Sequence, residues 1–505
     1  MKLGFNSDHY LAEQSQYIID RSKKFGTRLY IEFGGKLIYD YHAARVLPGF
    51  DPNAKIKLLQ ILKEKTDIII CVFAGDIERR KMRADFGITY DADVLKLVDD
   101  LREWGLDPIA VCITRFDNQP LVKQFMDKLT RRGMRVFTHR AIKGYPTDVD
   151  LIVSDEGYGS NPFIEVTKPI VVVTAPGPNS GKMATCLSQL YHEHKRGVKA
   201  GYAKFETFPI WNLPLKHPVN VAYESATADL LDFNQIDPFH LEAYNQVAIN
   251  YNRDVEAFPV LRKILERIMG AEMPYKSPTD MGVNRAGFAI EDDAICQAAA
   301  KQELIRRYLR YSCEYAVGAA SSKTVERAEL LMKELNLVPE DRSVVVPARR
   351  AAEDAKRKNK GEDGIFCGAA LELKDEDGTI ITGKNSPLMH ASSAVVLNAI
   401  KRLAGLPDKI DLISKNVIES IGKLKKDVFD MKNISLNLEE CLIALSISAP
   451  TNPTAQFAME KLKELKGAEM HMTHMPTPGD EAGLRRLGVN LTTDPNFASK
   501  HLFVG

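Results

Sequence analysis

The chain has 505 residues, of which 45% are hydrophobic and 27% are charged, and its formal net charge is +1 at pH 7. This balance is typical of a globular protein and gives no sign of an acidic tail or a basic nucleic-acid-binding surface. No apolar run approaches the roughly 18 residues that a membrane-spanning helix requires. We therefore expect neither a nucleic-acid partner nor a membrane partner.

The cysteines and the amino-terminal sequence indicate the cellular compartment. The seven cysteines lie far apart and form no C-x-x-C pair. This spacing predicts reduced thiols and disfavours both a disulfide framework and a cysteine-based zinc site. The opening sequence MKLGFNSDHYLAEQ has no apolar core of the kind that a signal peptide carries. Together these features predict a cytoplasmic protein.

Strand-like and helix-like segments alternate along the first half of the chain. The strand candidates are rich in Val, Ile and aromatic residues and lie at 27–33, 66–73, 107–113, 134–139, 149–154, 169–175 and 199–204. Amphipathic helices are predicted at 53–65, 91–105 and 119–133. Continuous Val/Ile runs between such helices are typical of strands buried on both faces. We therefore predict an α/β fold with a largely parallel sheet flanked by helices.

The pattern then becomes helical, and strand signals return near the end. Helical spacing is found at 240–270, 292–318, 321–337 and 387–405. A strand followed by a helix is predicted at 344–358, and a hairpin with Asp377-Gly378 in its turn at 365–383. The predicted domains are an α/β domain at 1–228, a mainly helical region at 229–337 and a smaller α/β domain at 338–505.

The segment 170–190, IVVVTAPGPNSGKMATCLSQL, has the layout of a phosphate-binding loop. In such a loop the N–H groups at a helix start bind phosphate and a lysine reaches the outer phosphates. The spacing departs from G-x-x-x-x-G-K-[ST], because Pro176 replaces the first Gly and Met183 replaces the hydroxyl residue. The alternative is a plain strand–helix connection. The residues predicted to bind phosphate are Gly177, Asn179, Ser180, Gly181, Lys182 and Thr185.

The segment 170–230 resembles the dethiobiotin synthetase and CTP synthetase branch of P-loop proteins. The resemblance rests on the loop and on the strand GVKAGYAKFETF (197–208), which contains a lysine near its end. It implies that Lys182 holds the phosphates, that Lys204 meets the substrate, and that Asp229 is an acidic magnesium ligand. ATP or another nucleotide, with Mg²⁺, would then be the cofactor.

Two further polar clusters are candidate parts of a catalytic site. The sequence CVFAGDIERRKMRADFGITYD follows a predicted strand, and ligands of open α/β sheets collect at the carboxyl ends of strands. Arg79 and Asp85 of this stretch are predicted to contact an anionic substrate. Asp280 is predicted as catalytic in the Pro/Gly-broken loop MPYKSPTDMGVNRAG. The alternatives are a solvated helix face for the first cluster and ordinary turns for the second.

Several other polar motifs favour structural roles. His390 lies close in sequence to Ser392 and Ser393, but residues so near each other on a helix point in different directions. His471 and His474 have no third spaced ligand for a metal. We therefore predict neither a catalytic triad nor a zinc site at these positions.

Longer phrases resemble a bacterial cytosolic family of unknown function. They are DIERRKMRADFGITYD, YKSPTDMGVN and ITGKNSPLMHASSAVVLNAIK, and the resemblance covers nearly the whole chain. Some members carry the label of ATP-dependent peptidase. The sequence has no zinc-binding H-E-x-x-H helix and no clear serine dyad, so we expect no peptidase activity.

We expect an enzyme that binds a nucleotide or another phosphorylated or anionic small molecule at 175–185. Ligase- or kinase-like transfer is the favoured reaction class. One alternative, favoured by Met183, is a sugar-phosphate or metabolite enzyme that uses no nucleotide. Another is a non-catalytic nucleotide sensor whose ligand sets its oligomeric state. Apolar stripes in the helical middle region predict a homo-oligomer.

Overall fold

The structure is a computed structural model that describes residues 3–83, 87–270, 273–362 and 364–500. The chain divides into two compact units, Met1–Lys301 and Gln302–Gly505. Within the described ranges, no helix combines the length and the apolar character needed to cross a bilayer.

Unit 1 is built on a six-stranded parallel sheet. The strands of this unit are β1 (Arg28–Phe33), β2 (Thr66–Phe73), β3 (Met82–Arg83), β4 (Ile88–Thr89), β5 (Ala110–Thr114), β6 (Val136–His139), β7 (Ile170–Thr174), β8 (Ala200–Phe205), β9 (Asn234–Ile236) and β10 (Ile249–Tyr251). The sheet order is β6-β5-β2-β7-β1-β8, while β3–β4 and β9–β10 form small separate pairs. The predicted α/β fold with a parallel sheet is confirmed.

Helices cover both faces of this sheet. The helices that begin in unit 1 are α1 (Ser7–Lys24), α2 (Tyr41–Val46), α3 (Ala54–Ile61), α4 (Ala74–Glu78), α5 (Tyr90–Glu103), α6 (Pro120–Arg131), α7 (Val149–Ile152), α8 (Lys182–Lys195), α9 (Pro218–Ala226), α10 (Pro238–Tyr244), α11 (Asn252–Met269), α12 (Pro278–Met281) and α13 (Asp293–Ala316). Side chains alternate between two cores, because successive residues of a strand point to opposite faces. Ile70 packs in the core that holds Ile18 of α1, whereas Cys71 packs in the core that holds Leu187 of α8.

Two predicted strands are wrong. Residues 149–154 were expected to be extended, but Val149–Ile152 form α7. The side chain of Asp148 accepts a hydrogen bond from the N–H of Leu151 (3.0 Å) and thereby caps this helix. The apolar run at 344–346 enters α15 (Val345–Arg357) instead of a strand. A short apolar run does not distinguish a strand from a buried helix turn.

Unit 2 is smaller and holds a mixed sheet. Its strands are β11 (Gly368–Glu372), β12 (Ile380–Lys384), β13 (Glu469–Met472) and β14 (Asn490–Thr493), in the order β12-β11-β13-β14. Besides α15, its helices are α14 (Ser322–Glu334), α16 (Ala391–Leu403), α17 (Lys415–Lys423), α18 (Leu438–Ser448), α19 (Pro453–Glu460) and α20 (Pro478–Leu487). The predicted hairpin is the antiparallel pair β11–β12, and Gly378 between its strands has a positive φ of 60°.

Candidate functional site

The sheet of unit 1 has a point at which the chain changes direction. After β2 the chain continues to β5 on one side, and after β7 it continues to β8 on the other side. Strands β2 and β7 are direct neighbours. In open α/β sheets, ligands bind in the crevice beyond the carboxyl ends of two such strands. The segment between β7 and α8, residues 175–181, borders this crevice.

The backbone of this loop has the alternating conformation that forms a concave set of N–H groups. Asn179 has a φ of 55° and Gly181, the N-cap of α8, has a φ of 86°. A Cβ atom on Gly181 would lie 2.8 Å from Cγ2 of Thr114, so the position requires glycine on two grounds. Gly177 is equally confined, because a Cβ atom there would lie 2.5 Å from the ring of Tyr90.

Thr114 and Arg115, at the end of β5, donate hydrogen bonds to two carbonyl groups of the loop. The hydroxyl of Thr114 donates to the carbonyl oxygen of Ser180 (2.6 Å). The guanidinium of Arg115 donates to the carbonyl oxygen of Asn179 (2.5 Å) and lies 3.5 Å from the centre of the Phe73 ring. Because these two carbonyl groups are bound on the β5 side, the N–H groups of Ser180 and Gly181, which belong to the same two peptides, are left for another partner.

The donors of the loop have no partner within the described part of the chain. No acceptor is found there for the backbone N–H groups of Asn179, Gly181 and Lys182. The hydroxyl of Ser180 is buried and also lacks a hydrogen-bond partner among the described residues. Buried polar groups are nearly always hydrogen-bonded in native proteins. Unpaired N–H groups at the start of a helix therefore form a ready-made anion site.

Lys182 lies beside a carboxylate at the end of the neighbouring strand. Its Nζ is 3.9 Å from Oε1 of Glu32, and both side chains are largely buried. The hydroxyl of Tyr202 donates to the other oxygen of Glu32 (2.8 Å). Since β1 lies between β7 and β8, the register places Glu32 level with Val173 and with Lys204. Strand order therefore brings both lysines to one acidic residue.

Lys204 is enclosed by carboxylates. Its Nζ lies 2.5 Å from Oδ2 of Asp254 and 3.3 Å from Oε2 of Glu206. Burial alone would lower the pKa of Lys204, but the charges of Asp254, Glu206 and Glu32 outweigh it and raise that pKa. Burial raises the pKa of Glu206, and Asp254 and Glu32 add to this effect against the opposing charge of Lys204. The two lysines, Lys182 and Lys204, thus form one compact group with the carboxylates of Glu32, Glu206 and Asp254.

Comparison with known proteins places the chain in a family. A model described as a domain of unknown function, DUF1846, N-terminal, matches residues 3–336, and its C-terminal counterpart matches residues 340–503. The chain belongs to the DUF1846 family. Proteins named UPF0371 protein from Clostridium botulinum (strain Kyoto / Type A2) and Clostridium tetani are similar to it, at 59% and 58% identity over 504 residues. The match covers 100% of this chain and 99% of each relative. The resemblance to a bacterial family of unknown function is thus confirmed, and the DUF1846 name carries no reaction.

The site residues that were predicted from the sequence do not all lie together in the structure. Lys182 and Lys204 come together through Glu32, as described above. The guanidinium of Arg79 pairs with the buried carboxylate of Asp76, which follows β2. Asp85 lies outside the described residues.

The other three predicted residues do not meet this group. The hydroxyl of Thr185 is buried under the sheet and accepts a hydrogen bond from the thiol of Cys71 (3.4 Å). Asp229 is exposed on the short 3₁₀ helix Ala228–Leu230. Asp280 closes a capping box at the start of α12, where it accepts hydrogen bonds from the N–H groups of Lys276 (2.8 Å) and Ser277 (3.0 Å).

Sequence reasoning missed the acidic part of the group, Glu32, Glu206 and Asp254. One signal was available for Glu32, which interrupts the apolar run RLYIEF near the carboxyl end of a predicted strand. Nothing local marks Asp254, because it reaches Lys204 from α11, 50 residues away. No group of three or more His, Cys, Asp or Glu side chains arranged to hold a metal ion occurs among the described residues.

Proposed function

We propose that the loop 175–182 binds the phosphate groups of a small molecule, with a nucleotide as the favoured ligand. The observation that carries the proposal is the set of unpartnered donors at Asn179, Ser180, Gly181 and Lys182. Loop carbonyl groups held by Thr114 and Arg115 keep these donors in place before any ligand arrives. Prearranged donors bind an anion without the cost of ordering a flexible loop.

The residues also fit a magnesium ion. Mg²⁺ usually takes only one or two protein carboxylates, with phosphate oxygens and water as its other ligands. Glu32 would hold the ion, because it lies next to Lys182 at the end of β1. The resemblance to P-loop synthetases implies Asp229 as an acidic ligand, but Asp229 does not meet the group around Glu32, so Glu32 is the one protein ligand that we propose. A bound Mg²⁺ would neutralise charge on the phosphate oxygens.

Phosphoryl or acyl-phosphate transfer, as in kinases and ligases, is the favoured reaction. Such transfer depends mainly on position and charge neutralisation. Lys182 would supply the positive charge at the phosphate. Glu206 would accept a proton from the group that attacks, since burial and its acidic neighbours raise its pKa and make it a stronger base. Lys204, held between Asp254 and Glu206, would fix the orientation of both carboxylates.

The experiment is a calorimetric titration of the purified chain with ATP, ADP, GTP and inorganic phosphate, each with and without magnesium. The test variant is Lys182→Ala. Its matched control is Lys195→Ala, which removes the same charge from the other end of α8, where Lys195 pairs with the exposed Asp155. We expect magnesium-dependent nucleotide binding that weakens at least about tenfold in Lys182→Ala and is unchanged in Lys195→Ala.

Other outcomes separate the remaining interpretations. Binding of inorganic phosphate but of no nucleotide would favour a sugar-phosphate or metabolite enzyme, as the presence of Met183 also does. Nucleotide binding with a change in mass and no turnover would indicate a sensor. No binding of any probe to the folded chain would refute the proposal. Cytoplasmic location and homo-oligomer formation remain predictions.

A further inference from the structure

Unit 1 contains a cleft that is separate from the loop site. Its volume is about 840 Å³. His194 and Ala200 contribute to its wall, so it lies where α8 ends and β8 begins. The loop site lies at the other end of α8, whose 14 residues rise about 1.5 Å each, which places the cleft about 20 Å away.

The charged groups around this cleft are mainly positive. Among the described residues, the basic side chains that line it are Arg21, Lys23, Lys24 and Lys199, and the acidic side chain is Asp280. The carboxylate of Asp280 already accepts hydrogen bonds from two backbone N–H groups and from the hydroxyl of Tyr244 (2.9 Å). Lys23 pairs with Asp20 (3.1 Å), and the guanidinium of Arg21 donates to the carbonyl oxygen of Asp280, but the described lining of the cleft still carries more positive than negative charge. Lysines in the last turn of a helix also offset its dipole, so charge alone does not define a site.

Aromatic rings form the second feature of the cleft. The rings of Phe25 and Tyr275 are stacked with centres 5.9 Å apart, and the guanidinium of Arg21 lies 5.6 Å from the centre of Tyr275. Nε of Arg21 is buried and has no hydrogen-bond partner among the described residues. Trp211 and Tyr244 supply further rings to the wall. Helix dipoles do not explain aromatic side chains at these positions.

We propose that the cleft binds a small anion that carries a planar aromatic ring. Trp211 and Tyr244 line the cleft and suit the ring, since flat bases commonly stack on aromatic side chains. The guanidinium of Arg21 and the ammonium group of Lys24 suit a phosphate or a carboxylate. The volume lies within the range of roughly 300–1,000 Å³ that small-molecule sites occupy.

The test uses the fluorescence of Trp211, because the chain has only two tryptophans. In a Trp104→Phe background Trp211 is the single reporter, and it lines the cleft. The full chain is titrated with AMP, benzoate, adenosine and inorganic phosphate. AMP combines a phosphate with an aromatic base, and benzoate combines a carboxylate with an aromatic ring. Adenosine has the ring alone, and inorganic phosphate has the charge alone.

We expect AMP, benzoate or both to change the fluorescence in a saturable way. Adenosine and inorganic phosphate should each bind at least about tenfold more weakly. Lys24→Glu should weaken binding of the aromatic anion by about tenfold or more, whereas Lys65→Glu, the same change at an exposed position outside the cleft lining, should leave it unchanged.

Two results would overturn the proposal. One is the absence of any Trp211 response to both AMP and benzoate at millimolar concentration. The other is an equal effect of Lys24→Glu and Lys65→Glu. Lys182→Ala in the same background separates this site from the loop, because it should remove loop binding and leave the Trp211 titration unchanged.

Discussion

The hydroxyl of Thr114 at the end of β5 donates to the carbonyl oxygen of Ser180 (2.6 Å), 66 residues along the chain. This bond joins a strand end to the loop that precedes α8. It turns the Ser180–Gly181 peptide so that its carbonyl group faces β5. The loop donors proposed to hold phosphate thus depend on Thr114, whose hydroxyl is bound to the loop carbonyl group.

Replacing Thr114 by Val keeps the shape of the side chain and removes the donor. The buried carbonyl group of Ser180 then loses its partner, which costs about 1–3 kcal/mol. We expect the free energy of unfolding to fall by that amount and phosphate binding to weaken along with it. Thr114→Ser retains the hydroxyl and is the control. Urea unfolding measures the stability of both variants, and calorimetry measures their phosphate binding. Equal stability and equal binding of Thr114→Val and Thr114→Ser would contradict the prediction.

Two glycines at opposite ends of α8 give a matched pair of substitutions. Gly181 and Gly197 both have positive φ values, 86° and 76°, but only at Gly181 would a Cβ atom meet neighbours within 4 Å. Both Ala variants carry the backbone strain of about 1–2 kcal/mol. Gly181→Ala adds a clash with Thr114, which costs a further ~1–3 kcal/mol. Thermal unfolding should show the larger loss for Gly181→Ala, and only that variant should lose ligand binding.

Removing the charge of Lys204 leaves the carboxylates of Asp254 and Glu206 without their cation. Breaking a buried ion pair costs about 3–5 kcal/mol, and partial solvent access reduces this, so we expect about 2 kcal/mol for Lys204→Met. In the variant the charge of Lys204 no longer lowers the pKa of Glu206, whereas burial and the charges of Asp254 and Glu32 still raise it, so protonation of Glu206 relieves the repulsion. The loss of unfolding free energy should therefore be larger at pH 8 than at pH 5. A loss that does not depend on pH would contradict this explanation.

Asp494 in unit 2 predicts a pH dependence of unfolding free energy in a lower pH range. Burial alone would raise its pKa, but hydrogen bonds and charge from His471 and Arg349 lower the pKa to about 2. A lowered carboxyl pKa stabilises the fold above the unfolded value of about 3.9, and this contribution is lost as pH falls from about 4 toward 2. The shift corresponds to roughly 2 kcal/mol.

The measurement is urea unfolding of the unmodified chain and Asp494→Asn between pH 2 and pH 7. We expect the two unfolding free energies to differ by about 2 kcal/mol near pH 6 and to converge near pH 2. Asp107→Asn is the control, because Asp107 pairs with Arg102 in an exposed position and should show little difference at any pH. A constant gap for Asp494→Asn would contradict the account.

The sequence predicted the central strands well because their composition reflects their burial. The Val/Ile runs at 66–73 and 169–175 correspond to β2 and β7, and β7 is buried at every position. The run at 149–154 was wrongly predicted as a strand, because its apolar residues belong to a helix turn that Asp148 caps. Composition predicts that a segment is buried, and a side-chain cap then decides between helix and strand.

The site was harder to predict because strand order assembles it. Lys182 and Lys204 could be selected from their neighbours in sequence, but Glu32 joins them only because β1 enters the sheet between β7 and β8. Asp254 arrives from α11 and is not marked by any local motif. Asp280 is the opposite case, because the sequence marked it as catalytic. In the structure it forms a capping box at the start of α12 and lines the cleft described above. Predicting such groups requires the sheet order, which a single sequence does not contain.

The most direct test of the central claim is a crystal structure of the chain grown with ADP and magnesium. The account predicts phosphate oxygens within hydrogen-bonding distance of the N–H groups of Asn179, Gly181 and Lys182. It also predicts that Nζ of Lys182 leaves Glu32 for a phosphate oxygen. A structure with ADP bound elsewhere, or with these N–H groups and Lys182 unchanged and no phosphate beside them, would contradict the account.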